Sequence, residues 1–554
     1  AFDMTQVRIA IGAMFSVLAA STLVACTSVS QSTGARGSGP ASQPGVLRYA
    51  DIQEPDSLNP LVSTQATTID MAYFVYQFFF NIDDRNQMVP EVATQIPTLQ
   101  NGGISRDGMT LIYHLRPGLK WQDGEPLTAA DIVFTFHSIM NPKNNVQVTT
   151  GYDHIGSVTA PDPQTVVVHM KKFFAPIVAY FMCIQGGYPI MPAHLLAKYP
   201  NVNHIPYNNL PIGSGPFKVT EWVHGDHITM VANPLYWRGA PKLKQIVFKI
   251  VSDNNTIVTQ LKTGETDAWF RADPSLYPTY SKIPGVTVTI SNQNLFGHLD
   301  FNLDEQGTPW QDVRVRQAIE YAIDRKKIAH DATHDVWAPS DSDQAPTNWA
   351  YDPNVPHIGF DPVKSKALLA QAGWTPGADG VLTKNGQRFE IQFSYVSGNV
   401  IGAAVGNIIQ QELRAVGIDL TQKTYPAPLF FGAQQNGGIL NSYKYQLAYY
   451  GWVNGVDPDD SSLYGCDQFP PAGQNSLHWC DPKLDSAEKD ALSTFDQARR
   501  KADYAIIQTE IATQVPTIIL YTERRADVHT EHFKGFKASP ATSAYWNSWE
   551  WSME

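Results

Sequence analysis

The 554-residue sequence has few cysteines and few basic residues for its length. It contains four cysteines, and its 40 Lys and Arg residues are outnumbered by 52 Asp and Glu residues, which gives a formal net charge of -12. An acidic chain is repelled by phosphate backbones and by anionic lipid surfaces, so the charge argues against a nucleic-acid partner. After the N-terminal 25 residues, no segment approaches the roughly 18 consecutive apolar residues of a membrane-spanning helix. We therefore expect a large folded body without a membrane span.

Motifs of catalysis are also missing. The sequence contains no Gly-x-Ser-x-Gly, no His-Glu-x-x-His, no phosphate-binding glycine loop and no Cys/His nucleophile arrangement. The neighbouring acids Asp459 and Asp460 suit glycoside hydrolysis poorly, because adjacent residues rarely face one another usefully. His330 and His334 have a metal-like spacing but no third ligand nearby. We predict that the protein is not an enzyme and uses no cofactor or metal; an exported hydrolase is the remote alternative.

The N-terminus has the pattern of an export signal. Arg8 precedes an apolar run from Ile9 to about Ala20, which is too short to span a membrane, and small residues then lead to Cys26. The ending Leu-Val-Ala-Cys resembles a bacterial lipobox, so residues 1–25 are predicted to be a signal peptide and Cys26 the lipidated residue. The alternative is an ordinary signal with an incidental cysteine. Residues 26–45 are rich in Ser, Thr, Gly, Pro and Gln, which predicts a flexible tether.

An exported protein sits where disulfides persist, which bears on the other cysteines. Cys466 and Cys480 flank a loop that contains Pro and Gly, and we expect them to form a disulfide worth on the order of 3 kcal/mol in the chain-entropy model. A metal site on these two residues is the weaker alternative, because the sequence has no Cys-x-x-Cys pair. Cys183 lies in an apolar stretch and is predicted to be a buried free thiol.

The hydrophobic patterns indicate a mixed α/β protein, with helices alternating with strands from about 300 to 521. Predicted strands are Thr165–His169, Gln245–Val251, Val286–Ile290, Phe389–Tyr395 and Thr517–Tyr521. Predicted helices are Val313–Ile328, Val363–Ala372 (with Asp361 as its cap), Ala404–Val416 and Ala498–Ala512. The arginines at 314, 316 and 325 are expected on a solvent-exposed helix face. Residues 82–200 are richer in turns and short strands.

Several stretches together carry a family resemblance. They are Glu54–Pro60, Tyr113–Gly124, Leu127–Phe134, Gly213–Phe217, Asn233–Trp237, Val315–Arg325, Lys366–Trp374 and Asp457–Asp459. In this order they resemble the bacterial extracellular solute-binding proteins of family five, the peptide and nickel receptors of ABC importers. Each stretch alone is weak, and most have an ordinary structural explanation as turns or helix faces.

The resemblance implies an α/β, two-lobed clamp of the type II periplasmic-binding-protein kind with an extra inserted subdomain. The first lobe comprises residues 46–81, 201–294 and 522–554, the insertion 82–200 and the second lobe 295–521. Hinge crossings are expected near Gly297–Phe301 and Ile519–Thr522. Such a lipid-anchored monomer would work on the extracytoplasmic face of the membrane, in a periplasm or on an outer surface.

The implied function is capture of peptides, most simply oligopeptides, for an ABC permease. A nickel chelate, haem or an oligosaccharide is the alternative solute on the same scaffold. Peptide-binding relatives hold the ligand through its backbone and pair its ammonium with an acid after a strand that ends in Gly-Trp. Here Gly451 and Trp452 end that strand, Asn454 stands at the acid's position, and Asp457 is the candidate substitute.

Two further observations concern ligand choice. Some dipeptide-binding relatives carry an arginine after the strand that matches Phe389–Tyr395, and this chain reads Val-Ser-Gly-Asn there. The absence argues against a strict dipeptide receptor and favours a longer peptide or a ligand without free termini. Tyr425 and Ser57 are additional candidate ligand contacts, chosen from position alone.

Overall fold

The computed structural model describes residues 42–541 and 545–554. Cys26, the predicted signal peptide and nearly all of the predicted tether lie outside these residues. No helix in the described ranges is long and apolar enough to cross a membrane.

The described part of the chain is organised on one large mixed sheet of eleven strands. Its strands are Val46–Asp51, Phe217–Val223, His227–Ala232, Gln245–Ile250, Ala268–Ala272, Val286–Phe301, Ala338–Pro339, Glu390–Val396, Asp419–Tyr425, Leu447–Val453 and Thr517–Thr530. Two of them, Val286–Phe301 (the first long strand) and Thr517–Thr530 (the second long strand), are antiparallel neighbours at the centre of the sheet.

Each long strand takes part in both halves of the sheet. Residues 286–292 of the first long strand pair with residues 524–530 of the second, next to Ala268–Ala272. Residues 296–300 of the first long strand pair with 517–522 of the second, and on its other side the first long strand pairs with Leu447–Val453. Both predicted crossings, at 297–301 and 519–522, lie in this second block of paired residues.

Smaller sheets and hairpins surround the large sheet. The three-stranded sheet of the 82–200 segment consists of Thr110–His114, Ile155–Asp162 and Thr165–Met170, and the remaining short strands are Phe80–Ile82, Met88–Pro90, Thr375–Pro376, Leu382–Lys384, Gln387–Arg388, Phe533–Lys534 and Ser552–Met553. The predicted strand at 165 is therefore confirmed, in a sheet separate from the central one.

Several of the α-helices begin at residues whose side chains cap them. The α-helices are Ala66–Val75, Ala129–Met140, Ile177–Tyr180, Ala193–Leu196, Asn254–Thr263, Tyr277–Tyr280, Val313–Tyr321, Arg325–Thr333, Pro362–Gln371, Val400–Ala415, Ala427–Phe430, Ser461–Tyr464, Pro482–Leu492 and Gln497–Gln514. Pro362–Gln371 begins as predicted, because the Asp361 side chain accepts a hydrogen bond from the Lys364 amide.

The single helix predicted over 313–328 is wrong. The structure has two helices, Val313–Tyr321 and Arg325–Thr333, and Asp324 caps the second by accepting from the Lys326 and Lys327 amides. Asp inside an apolar-periodic segment offers the backbone an alternative to the helical hydrogen bond, so the helix restarts at this residue.

Two main apolar cores lie on either side of the long-strand pair. The larger core takes its residues from Leu47 to Phe270 and from Phe533 to Met553. The second core takes its residues from Leu299 to Tyr521. The chain therefore leaves the first body near residue 295 and returns near 522, while the exact domain boundaries remain predictions.

Arg316 and Arg325 are buried, in contrast to the prediction of a solvent-exposed face. The guanidinium of Arg316 donates to the carbonyl oxygens of Gln514 (2.7 and 3.0 Å) and Val515 (3.0 Å), where the helix Gln497–Gln514 ends. It also donates to the carbonyls of Trp310 and Gln311. A cation at a helix C-terminus satisfies carbonyls that have no partner inside the helix. Arg316 thus links its own helix, Val313–Tyr321, to the C-terminus of Gln497–Gln514 through charge-assisted hydrogen bonds.

Arg316→Met should lower the free energy of unfolding by about 2–4 kcal/mol, because four buried carbonyl groups lose a charged donor. Chemical denaturation monitored by circular dichroism measures the change. Arg314→Met is the matched control: Arg314 is exposed and pairs with Asp312, so its removal should leave the transition near that of the wild type. Equal effects of the two substitutions would contradict the capping role.

Candidate ligand-binding site

A cavity of about 190 Å³ lies where the two halves of the sheet meet. Its walls come from the segment after Ala268–Ala272, from both long strands, from the loop after Arg325–Thr333 and from the end of Leu447–Val453. The lining residues are Arg271, Ala272, Pro274, Gln293, Asn294, Leu295, Trp337, Val453, Glu523, Arg524, Arg525 and Pro540. Both sides of the long-strand pair therefore contribute to one cavity, which is partly open to solvent.

The cavity coincides with a break in the pairing of the long strands. Asn292 pairs with Arg524 and Phe296 pairs with Thr522, so three residues of the first long strand stand opposite Glu523 alone. Extra residues in one strand of a ladder leave its backbone locally unpaired and bend it, and such sites are common beside binding and active sites. The break thus opens the centre of the sheet to a ligand.

Two facing glycines continue this opening. Gly297 and Gly451 pair across the first long strand and Leu447–Val453. A Cβ atom on Gly297 would lie 2.2 Å from the ring of Tyr521, so that position accepts no side chain. A Cβ atom on Gly451 would lie 3.3 Å from a carboxylate oxygen of Glu523. The predicted candidate Gly451 therefore lies directly beside a cavity-lining acid.

The charges of the cavity are mostly compensated. Arg525 donates two hydrogen bonds of 2.7 Å to Asp527, and Arg271 forms an ion pair with Asp70. Glu523 differs from these groups: burial raises the pKa of its carboxyl to about 8, and no charged neighbour offsets this effect. Arg271 also has a positive φ of 53°, which is uncommon for a side chain of its size.

None of the six candidate ligand contacts lines this cavity in the described structure, although Gly451, Trp452 and Asn454 adjoin its lining residue Val453. Trp452 is partly buried and packs against two apolar clusters. Asn454 is buried, and its amide nitrogen donates to the carbonyl of Asp343 (2.6 Å). Direct ligand contact by Gly451, Trp452 and Asn454 stays a prediction.

Asp457 already has a strong partner. Its carboxylate accepts two hydrogen bonds of 2.7 Å from the guanidinium of Arg500, and both side chains are buried. Burial alone would lower the pKa of Arg500, but the charge and hydrogen bonds of Asp457 raise it above its ordinary value. A carboxylate held by a bidentate arginine offers little net charge to a ligand. Ligand binding by Asp457 stays a prediction, which this ion pair disfavours.

Tyr425 and Ser57 have structural roles that the sequence did not reveal. Tyr425 is buried in an apolar cluster with Phe430. The Ser57 hydroxyl accepts a hydrogen bond from the Asn59 amide (3.0 Å) in a turn. Their contact with a ligand also stays a prediction.

The cysteines take the arrangement expected from the sequence. The sulfur atoms of Cys466 and Cys480 are bonded to each other, and Cys183 is buried and free. Burial raises the pKa of the Cys183 thiol to about 12, so the thiol stays protonated and unreactive.

Comparison with known proteins assigns this architecture to a family. The family model described as "Bacterial extracellular solute-binding proteins, family 5 Middle" matches residues 87–471. The chain belongs to the family-5 bacterial extracellular solute-binding proteins. The oligopeptide-binding protein AppA of Bacillus subtilis is 27% identical over 523 residues, which cover 93% of each chain.

Solved structures of family-5 proteins agree with the fold. NikZ of Campylobacter jejuni, solved with Ni(L-His), is 26% identical and has a TM-score of 0.77; the match covers 92% of this chain and 100% of that one. B. subtilis AppA, solved with a nonapeptide, has a TM-score of 0.75 at 24% identity, with 93% and 100% coverage. The predicted fold class, a two-lobed α/β clamp of the type II kind, is confirmed.

In this family-5 protein, the 82–200 segment contacts the second body through two side-chain amides. The Gln185 side chain accepts a hydrogen bond from the Asp457 amide (2.9 Å) and donates to the Asp457 carbonyl (3.2 Å). The Asn86 amide nitrogen donates to the carbonyl of Thr347 (3.3 Å), and Asn86 accepts from the side chain of Asn294 (2.9 Å). Two side-chain amides thus bridge the two bodies.

A buried acidic cluster supports the loop that carries Asp457. Asp343, Asp460 and Glu488 are each about 1% exposed, and Gln344 donates to both aspartates at 3.2–3.3 Å. Burial, together with the neighbouring carboxyls, raises the pKa of Glu488 to about 8. Burial likewise raises the pKa of Asp460 well above its ordinary value. Because their pKa values are raised, Asp460 and Glu488 keep protons that the unfolded chain would release.

Glu488→Gln should flatten the pH dependence of stability. Because the folded pKa is raised, the native state holds a proton from about pH 4.5 to about pH 8 that the unfolded state has lost, so wild-type stability falls as the pH rises through this window. One such group contributes a slope of at most about 1.4 kcal/mol per pH unit. Denaturant unfolding from pH 5 to 8 measures the slope. Glu305→Gln, which changes an exposed acid, should keep the wild-type slope; the same slope in Glu488→Gln would contradict the assignment.

Proposed function

We propose that this protein is the substrate-binding component of an ABC importer, and that it captures peptides between its two bodies and releases them unchanged to the permease. The main observation behind this proposal is the cavity at the break in the long-strand pairing, which is lined by residues from both sides of the strand pair. Relatives that match most of the chain support a peptide as the ligand, because they are named oligopeptide-binding protein and glutathione-binding protein.

The break supplies the contacts that a peptide needs. A peptide binds through polar and backbone contacts, and the cavity at residues 293–295 is lined by Gln293 and Asn294 and by the acid Glu523. A ligand that contacts both bodies favours the closed arrangement, because it binds that arrangement more tightly than an open one. The Gln185 and Asn86 bridges then add to closure without contributing to ligand choice.

The cavity volume bears on ligand length. At about 190 Å³ it is smaller than the 300–1,000 Å³ typical of pockets that enclose a drug-sized molecule. We infer that it holds one part of a longer peptide, whose remainder lies along the space between the bodies. The missing arginine after Phe389–Tyr395 fits this proposal, because an oligopeptide does not need its carboxylate clamped at a fixed distance.

Lipid anchoring belongs to the same proposal. A cleaved signal and a lipidated Cys26 would hold the protein on the extracytoplasmic membrane face, with residues 26–45 as the tether. Two or more acyl chains give stable anchoring, which keeps the receptor close to its permease.

Isothermal titration calorimetry tests the function. Pools of randomised peptides two to eight residues long should give saturable heats, and pools of four or more residues should bind more tightly than dipeptides. Nickel-histidine chelate, titrated in the same way, should give no saturable heat. Absence of binding at every length by correctly folded protein, or binding of the chelate alone, would refute peptide capture.

A further inference from the structure

Glu523 is the acid at the centre of the cavity. It lies on the second long strand, opposite the three residues of the first long strand that do not pair with the second, and a Cβ atom placed on Gly451 would lie 3.3 Å from its carboxylate. The adjoining tyrosines Tyr449 and Tyr521 hydrogen-bond to each other through their hydroxyl groups rather than to this acid. These two hydroxyl groups are therefore engaged with each other and do not satisfy the Glu523 carboxylate.

No hydrogen bond or ion pair connects the Glu523 carboxylate to any described residue, in contrast to its charged neighbours. Arg525 is held by Asp527, Arg271 pairs with Asp70, and Arg524 donates to Asn292 (3.2 Å). The raised pKa of Glu523 has the same origin, because burial acts on it and no cation opposes the effect. A buried acid without a partner is costly, and such groups concentrate at functional sites.

The acid faces the ligand space rather than the apolar core. Glu523 is mostly buried but keeps some exposure and lines the cavity together with Asn294 and Val453, whereas the fully buried acids Asp343 and Asp460 do not line it. A cation that enters the cavity could therefore reach the Glu523 carboxylate without rearrangement of the core. A desolvated charge-assisted pair of this kind is among the strongest contacts in a binding site.

We propose that Glu523 binds a cationic group of the ligand, an ammonium or a guanidinium, inside this cavity. The assignment rests on the proposed function and specifies its ligand: the part of the peptide seated at the break in the strand pairing is positively charged. The charge can come from the peptide's N-terminus or from a Lys or Arg side chain. Asp457 is already paired with Arg500, so in this proposal it stabilises its loop and does not bind the ligand.

The assignment also explains the glycine at 451. A side chain there would lie against the carboxylate of Glu523 and against Leu295, which would fill the approach to the acid. Glycine leaves that approach open. The Gly-Trp strand end identified in the sequence thus contributes space, and the second long strand contributes charge.

The test uses the wild-type protein, Glu523→Gln and the control Glu305→Gln, an exposed acid in the second body. Three pools of randomised hexapeptides serve as probes: one with free N-termini and no Lys or Arg, one N-acetylated without Lys or Arg, and one N-acetylated with a single Lys. Calorimetry measures the apparent affinity of each protein for each pool.

The wild type and Glu305→Gln should bind at least one cation-bearing pool at least about tenfold more tightly than the pool without a cation. Preference for free N-termini identifies the terminal ammonium as the partner, and preference for the Lys pool identifies a side chain. Glu523→Gln should bind all three pools alike, at the level of the uncharged pool. Thermal unfolding should show the variant at least as stable as the wild type, because a buried acid without a partner is removed.

Two outcomes distinguish a failure of the proposed function from a failure of the role assigned to Glu523. If the wild type binds none of the hexapeptide pools, the proposed function fails, and the role of Glu523 fails with it. If the wild type binds all pools equally, or if Glu523→Gln keeps the preference, peptide binding stands and Glu523 is not the cation partner. The wild-type comparison holds whether or not the variant folds.

Discussion

The structure depends on one pair of antiparallel strands that serves two bodies at once. Val286–Phe301 and Thr517–Thr530 pair on both sides of a short break, and each adds strands from a different body on either side of it. At the break, three residues of the first long strand stand opposite one residue of the second, which interrupts the regular ladder between them. The break and the cavity therefore lie at the same place in the sheet. In the proposed function this place serves both ligand binding and closure of the two bodies.

Among the described residues, charged side chains that support the fold have partners, whereas the acid in the cavity does not. Arg316, Arg525 and Asp457 are all buried, and each is satisfied by a carbonyl group or by a partner of opposite charge. Buried charges persist only with such partners. In the acidic cluster, no described cation lies beside Glu488, and its raised pKa keeps it protonated and therefore uncharged at neutral pH. Against this background, the carboxylate of Glu523 stands out because it lines open space and has no partner in the described structure.

Much of the fold could be predicted from sequence, because local signals coincide with the final structure. Asp361 and Pro362 start their helix as capping chemistry requires, and Cys466 and Cys480 bond across a short loop. The division of Val313–Ile328 at Asp324 was missed, since apolar periodicity continues through the break. The burial of Arg316 was missed for a related reason: two of its four carbonyl partners, Gln514 and Val515, lie about 200 residues away along the chain. Long-range carbonyl partners leave no mark on the local pattern.

The site was harder to predict. The strand end at Gly451 and Trp452 adjoins the cavity-lining residue Val453, but the acid near it comes from a strand that the apolar run Thr517–Tyr521 marks only in part. A signal did exist: the charged triplet Glu523, Arg524 and Arg525 continues a buried strand, where charge is unexpected. Sequence alone could not choose between Asp457 and Glu523, because the Arg500 ion pair that satisfies Asp457 is a feature of the folded chain.

Small-angle X-ray scattering tests the central claim, that the two bodies close about the broken strand pair when a ligand binds. We predict that the radius of gyration of the ligand-free protein decreases on saturation with a peptide pool, and that the saturated scattering profile matches the closed arrangement with its Gln185–Asp457 contacts. An identical profile before and after saturation, with the peptide demonstrably bound, would contradict the account.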